Sequence, residues 1–368
     1  MILSHALREH NLSGIAEKVE AGERISLQEG QALFECPDPV LIGSLAHAAR
    51  IKQHGLRTSY VLNQQINYTN LCVNQCRFCS YHRKKDQKEA FELSLEDIRH
   101  KIEDQAQMPI TEVHIVGGCH PELGLDYYEA MLSTIRSLRP DVVLKCFTAV
   151  EIEHFARLEG ISTHEVLLRL RQAGLDMMAG GGAEIFAPDV RSRICPEKIS
   201  GQRWLEISGQ AHSLGLRTNC TMLFGHLESR QDRVEHLDLL RTQQDKTGGF
   251  VCFIPLPFQT KNNRLSGISP LTGVEELKTI AVSRLMLDNI PHVKSYWVML
   301  GLKQAQAAMF FGANDLDGTV VEEKIGHMAG ADSPQTLSRR ELEDMIQGCG
   351  LIPQERDGFF NSVQGLCQ

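Results

Sequence analysis

Three cysteines, Cys72, Cys76 and Cys79, stand at a three-then-two spacing inside a segment that begins at Asn67 and ends at Tyr81. Soft thiolates suit iron–sulfur clusters. Three of them can hold three irons of a cubane 4Fe–4S cluster and leave the fourth iron without a protein ligand. An open position of that kind is where a metal site does chemistry on a bound molecule. Structural zinc sites usually bring four ligands in two pairs, so an isolated triple argues against zinc. Two other readings stand beside the cluster. Cysteine is a common packing residue, and the chain has eleven. A disulfide framework is disfavoured, because eleven is an odd number, the other eight are scattered and no apolar leader opens the chain.

Bulk composition narrows the class. The chain has 368 residues, enough for one large α/β barrel or two ordinary domains. A net charge of −8 argues against a nucleic-acid partner, whose footprint is basic. The longest apolar runs fall far short of the roughly 20 residues that a membrane span needs. The expectation is a cytoplasmic protein with reduced thiols.

Three stretches must then position the thiols. Residues 1–58 show apolar positions at helical spacing and a capping box at Ser26 and Glu29, and read as a helical N-terminal extension. Residues 59–330 alternate short β-branched runs with longer helical periods about eight times, which predicts a (β/α)8 TIM-type barrel. Its strands are expected at 65–69, 112–116, 142–147, 176–178, 217–222, 250–254, 293–297 and 309–311. Residues 331–368 read as a helical tail packed on the barrel.

In such a barrel the reactive groups gather at the C-terminal ends of the strands. The cysteine loop follows the first. The second ends in Gly117 and Gly118, either a plain turn or a place where backbone approaches a ligand. After the third come Thr148, a ligand contact or a helix cap, and Glu151, a ligand contact or a solvated acid. The fourth runs into Gly180, Gly181 and Gly182 and then Glu184, a loop able to wrap a ligand. Arg193 and Lys198 follow, a basic group able to hold carboxylates or a solvated charge run. His226 ends the fifth strand, as a titratable group or a satisfied structural histidine. Lys294, Tyr296 and Trp297 sit on the seventh.

The aromatic Phe78 directly before the third cysteine completes a pattern that resembles the radical S-adenosylmethionine (SAM) superfamily. The resemblance extends further: Asn-Tyr-Thr-Asn at 67–70, Val-His-Ile-Val-Gly-Gly at 113–118, Thr-Ala-Val-Glu-Ile at 148–152, Gly-Gly-Gly-Ala-Glu at 180–184, Ile-Cys-Pro-Glu-Lys at 194–198, Thr-Met-Leu-Phe-Gly-His at 221–226 and Asp-Leu-Asp-Gly-Thr-Val-Val-Glu-Glu-Lys at 315–324. Together these are similar to the aminofutalosine synthase family of the futalosine route to menaquinone. Cys119 departs from that pattern, which leads one to expect leucine.

The resemblance implies a radical SAM barrel in which Cys72, Cys76 and Cys79 bind a 4Fe–4S cluster. It implies SAM as a consumed co-substrate, held by Tyr81, Gly117, Gly118, Thr148, Glu151, Gly181, Gly182 and Glu184. The acceptor it implies is 3-[(1-carboxyvinyl)oxy]benzoate. The 5′-deoxyadenosyl radical adds to its double bond, and rearrangement with decarboxylation gives 6-amino-6-deoxyfutalosine. Arg193, Lys198, His226 and Lys294 are the candidates for holding the two carboxylates. An electron donor such as flavodoxin or ferredoxin is implied as partner. Cyclic dehypoxanthine futalosine synthase and the radical SAM half of the deazaflavin (FO) synthase share several of these loops. A non-catalytic iron–sulfur electron carrier, closed by a fourth thiolate, and a zinc-binding interaction module are the readings from other classes.

Overall fold

A computed structural model describes residues 2–363. Ten strands run through it: β1 (Arg57–Val61), β2 (Asn63–Ile66), β3 (Glu112–Ile115), β4 (Val143–Cys146), β5 (Met177–Met178), β6 (Arg217–Phe224), β7 (Phe250–Pro257), β8 (His292–Val293), β9 (Asp315–Gly318) and β10 (Ile352–Arg356). Every pairing between them is parallel, in one sheet ordered β2-β3-β4-β5-β6-β7-β8 and a second ordered β10-β1-β9. Only Leu62 separates β1 from β2, so the two sheets share one wall. A bridge between Lys294 and Asp315 links β8 to β9, and β9 pairs β1. The curled sheet is thereby closed by short contacts, with regular ladders of only two residue pairs at β5 and β8.

Parallel strands buried on both faces should be almost wholly apolar. Here Glu112, His114, Lys145, Asn219, Lys294, Asp315 and Asp317 interrupt them, and six of these seven side chains are buried. They point into the ring, where the lower ones form an ionic layer. Lys145 Nζ lies 2.5 Å from Glu112 Oε1, Lys294 pairs with Asp317 and with Asp315 at 3.5 Å, and Arg356 meets Asp315 bidentately at 2.5 and 3.1 Å.

Two expectations are corrected. The eighth strand is Asp315–Gly318, not 309–311. The apolar side chains of 309–311 follow the helix Leu302–Ala308 and pack outside, where the Phe311 ring sits against Gly43, leaving a Cβ there only 2.6 Å from it. The C-terminal segment is not a purely helical tail. After the helix Arg339–Gln347 it forms β10, which extends the wall at β1 and delivers Arg356, 1% exposed, to the ionic layer. Removing one member of such a layer strands a buried charge, at a cost of about 3–5 kcal/mol. Arg356→Ala is therefore expected to lower the urea midpoint of unfolding by that equivalent, while Arg339→Ala, an exposed partner of Glu355, shifts it by under about 1 kcal/mol.

The N-terminal helices are stitched to the outside of the ring. Arg24 bridges Asp245 and Asp288, Lys278 Nζ donates to Cys36 O at 2.6 Å, and the capping box of Ser26 and Glu29 opens the helix Leu27–Glu35. Among the described residues no helix is long and apolar enough to cross a membrane.

Candidate active site

The C-terminal ends of the strands surround a cavity of about 330 Å³. Its mouth is built by the cysteine loop, which contacts from two other segments hold in place. Arg77 N donates to Ile194 O at 2.8 Å, Arg264 N donates to Arg77 O at 2.7 Å, and Ser80 Oγ donates to Asn262 O at 2.6 Å. Cys72, Cys76 and Cys79 all line the cavity, and so does Cys119. The other described cysteines do not. Among the described residues no three His, Cys, Asp or Glu side chains converge on a single-ion position.

Electrostatics at the thiols differ. Burial pushes Cys76 and Cys79 up, so each resists losing its proton in the metal-free fold. Cys72 is held below the ordinary thiol range, chiefly because the Cys119 thiol hydrogen-bonds to it. Lys198 Nζ lies 2.5 Å from Glu184 Oε1 and 5.2 Å from the Phe78 ring centroid, and its charge favours the Cys76 thiolate. A metal supplies the larger positive charge that buried thiols need. The residues fit such a group: soft donors, a neighbouring cation, and the cavity-lining Tyr81, whose buried hydroxyl has no partner among the described residues.

The glycine loops sit where backbone meets backbone. A Cβ on Gly118 would fall on the Leu71 carbonyl, whose carbon would be 2.8 Å away, and one on Gly117 would meet the Tyr68 ring at 2.7 Å. Gly180 lies against the Asn219 backbone, and Gly182 (φ +82°) lies against Val150 Cγ2. Two of the three glycines in that row are thus required by packing, while Gly181 touches only Thr148 Cγ2, at 3.1 Å.

Thr148 and Glu151 form a capping box that opens the helix Ala149–Glu159 and also line the cavity. Glu151 is no solvated acid. It is buried, and its carboxylate accepts from Tyr68 Oη at 2.7 Å, Thr148 N at 2.7 Å and Gly117 N at 3.1 Å. It therefore anchors the Gly117 loop. Burial raises its pKa to about 7 despite those donors. The folded state keeps this proton between pH 4.5 and 7 while the unfolded chain gives it up. Stability from this group is full below pH 4.5 and is lost as pH rises through about 7. Glu151→Gln is expected to flatten the fall of the melting temperature over that window, on top of a constant loss from the Thr148 N–H left facing an amide.

The candidate carboxylate-holding residues divide. Lys198 and Lys294 line the cavity. His226 does not. Its ring is sealed off, with Nε2 against Leu223 O at 3.0 Å and Nδ1 accepting from Leu227 N at 2.7 Å, beside Glu228. Arg193 is exposed on the helix Pro188–Ile194; two residues earlier, Arg191 turns inward and donates to Ile185 O and Ile199 O. Neither residue lines this cavity. Sequence reasoning missed Lys145, His114, Asn219 and Gln65, which all line the cavity. Their signal was a polar residue in the middle of a strand otherwise buried on both faces. Among the described residues His114 Nδ1 and Asn219 Oδ1 have no partner, and burial holds the His114 ring neutral by lowering its pKa to about 3.

Comparison with known proteins now bears on this site. The model of the Radical SAM superfamily matches residues 66–240, and that of the CofH/MqnC C-terminal region matches 247–364. The chain is 41% identical to aminodeoxyfutalosine synthase of Thermus thermophilus over 97% of each chain. It is 42% identical to that of Streptomyces coelicolor, over 95% of this chain and 93% of the relative. A 5-amino-6-(D-ribitylamino)uracil–L-tyrosine 4-hydroxyphenyl transferase of Methanopyrus kandleri is 37% identical over 95% of each. The FeFe-hydrogenase maturase HydG of Carboxydothermus hydrogenoformans has the same fold, with a TM-score of 0.77 at 18% identity, over 98% of this chain and 83% of that one. The chain belongs to the radical SAM superfamily, within the family that holds the aminodeoxyfutalosine synthases.

Proposed function

We propose that this protein is an aminofutalosine synthase, acting on 3-[(1-carboxyvinyl)oxy]benzoate and SAM in menaquinone biosynthesis. The observation that carries the reading is one cavity lined at its mouth by the three thiols and at its floor by Lys145, Lys294 and His114. Full-length similarity to two aminodeoxyfutalosine synthases supports the choice of acceptor. Cys72, Cys76 and Cys79 would hold the 4Fe–4S cluster, whose chemistry when loaded with SAM is to supply, after one-electron reduction, the 5′-deoxyadenosyl radical that adds to the acceptor's double bond.

The chain's own residues bind, orient and shield. Gly117, Gly118 and Gly181 let the backbone come close to SAM, Tyr81 offers a hydroxyl, and Thr148 and Glu151 act by fixing the Gly117 loop. Each lysine ammonium has three donors. Lys145 uses one on Glu112, which leaves donors for a substrate carboxylate beside the neutral His114. Lys294 and Lys198, each already paired with acids, add positive potential without a bare buried charge. Leu223, Ile254, Leu256 and Phe258 supply an apolar side that suits an aromatic ring and keeps water from a reactive intermediate. A low-potential one-electron carrier such as flavodoxin or ferredoxin is the proposed reductant.

The test is anaerobic turnover of the reconstituted protein with dithionite, SAM and the carboxyvinyloxy-benzoate, read by mass. Aminofutalosine plus methionine is the expected result. Methionine and 5′-deoxyadenosine alone would overturn the acceptor and move it to dehypoxanthine futalosine or to tyrosine with a diaminouracil.

A further inference from the structure

We infer that the outer face of the cysteine loop is the docking surface for an acidic one-electron carrier protein, whose electron enters at Cys79. The inference rests on the reading of Cys72, Cys76 and Cys79 as cluster ligands, and it names where the proposed reductant binds. Cys79, Ser80 and His82 line the inner cavity and also a second depression, whose walls include Gln75, Lys84 and Arg264. The third thiol is therefore part of the partition between the two. No acid lines the second depression.

Charge on this face runs against that of the chain. The protein carries a net charge of −8, yet residues 75–88, 193–197 and 259–264 hold eight lysines and arginines against two acids, Asp86 and Glu197. The three segments meet at the loop, where Arg77 N donates to Ile194 O and Arg264 N donates to Arg77 O. Glu89, Glu122 and Asp332 neutralise Arg83, Lys85 and Lys261. Arg77, Lys84, Lys88, Arg193 and Arg264 are exposed, and among the described residues none of them pairs with an acid. Arg193, which lies outside the lining of the inner cavity, belongs to this face instead.

An electron that passes directly between two proteins requires their redox groups to come close, and a partition that includes a ligating thiol permits this. Redox partners meet in small interfaces, below about 1,200 Å². In such encounters complementary charge sets the rate of association more than buried area does. Unpaired cations around the partition call for a partner with carboxylates around its own redox group. The step is a single electron: the carrier is oxidised by one and the cluster reduced by one, with no bond made or broken.

The experiment is stopped-flow reduction of the anaerobically reconstituted full chain by photoreduced flavodoxin, with dithionite as the small-molecule control and flavodoxin binding read by calorimetry. The double variant Arg77→Glu, Lys84→Glu is expected to lower the second-order rate with flavodoxin about 10-fold or more at low salt. It should also weaken flavodoxin binding, and leave iron content and the rate with dithionite unchanged. The deficit should shrink at 1 M salt, where the screening length is about 3 Å. Lys84→Glu alone, outside the three-cysteine segment, carries the same test at smaller amplitude should the double variant lose iron. The control pair Arg171→Glu, Lys246→Glu makes the same change of net charge on exposed residues of the outer helices Thr163–Gln172 and Arg230–Thr247, and is expected to match the wild type. Equal flavodoxin rates in the wild type and the double variant, or an equal loss in the control pair, would overturn the docking surface and leave the cluster reading intact. Absence of any 4Fe–4S signal in the reconstituted wild type would remove the inference together with the reading on which it stands.

Discussion

Cys76→Ala is expected to lose the 4Fe–4S cluster and, with it, all detectable turnover, while the protein remains folded. Cys76 is 3% exposed, lines the cavity and sits under the positive potential of Lys198. Its thiol is costly to deprotonate without a metal, and a metal that takes it as thiolate supplies the charge that burial withholds. Alanine removes the middle ligand of three. The remaining pair, Cys72 and Cys79, would have to retain a cluster with two of its irons unprotected. The comparison variant is Cys220→Ala. That thiol is equally buried, but it lies in β6, outside the cavity, with its S–H directed at Cys252 O at 3.6 Å. Iron content and visible absorption after anaerobic reconstitution should separate the two: near zero for Cys76→Ala and near wild type for Cys220→Ala. Full iron in Cys76→Ala would show that the spacing of the thiols misidentifies the cluster ligands.

What could be read from the chain follows from where the physical signal lies. The thiol triple is local, and its chemistry depends on residue type and spacing, so it is visible without a fold. The strands from 112 to 254 are apolar runs bounded by turns, and the expected and observed positions coincide within a few residues. The eighth strand was misplaced because Asp315–Gly318 is polar: its acids belong to an ionic layer whose cations come from β8 and β10. No window of sequence contains both halves of that layer. β10 was missed for the same reason, since its pairing with β1 joins residues about 300 positions apart. His226 and Arg193 have suitable chemistry at suitable loops, but their side chains lie outside the lining of the cavity. Conversely, Lys145 and His114 look like interruptions in a strand until the ring closes and turns both into the cavity. Polar residues inside a parallel strand were the unread signal.

Gly118→Ala is expected to be nearly as damaging as loss of a thiol, although it adds one methyl group. Gly118 does not need a left-handed conformation; the obstacle is space. The new Cβ would overlap the carbonyl of Leu71 and stand 3.1 Å from Cys72 Cβ, and neither neighbour is the end of a flexible side chain. Gly118 is itself pinned, with its N–H on Thr69 O at 2.9 Å and its carbonyl accepting from Tyr68 Oη at 3.2 Å. Relief must therefore come from the segment 71–72, which carries the first of the proposed cluster ligands. Overpacking of this kind costs about 1–3 kcal/mol. The larger effect is functional, because a shift of about 1 Å in a positioned group can cost about 10²-fold in rate. Gly181→Ala, whose Cβ meets only the Thr148 methyl at 3.1 Å, should be far milder, and Gly14→Ala, with nothing within 4 Å, should be silent. Iron content, SAM affinity by calorimetry and turnover would rank the three. Equal SAM affinity in Gly118→Ala and Gly181→Ala would mean that the backbone at 118 has room that the fold does not show, and that the glycine there serves no cradle.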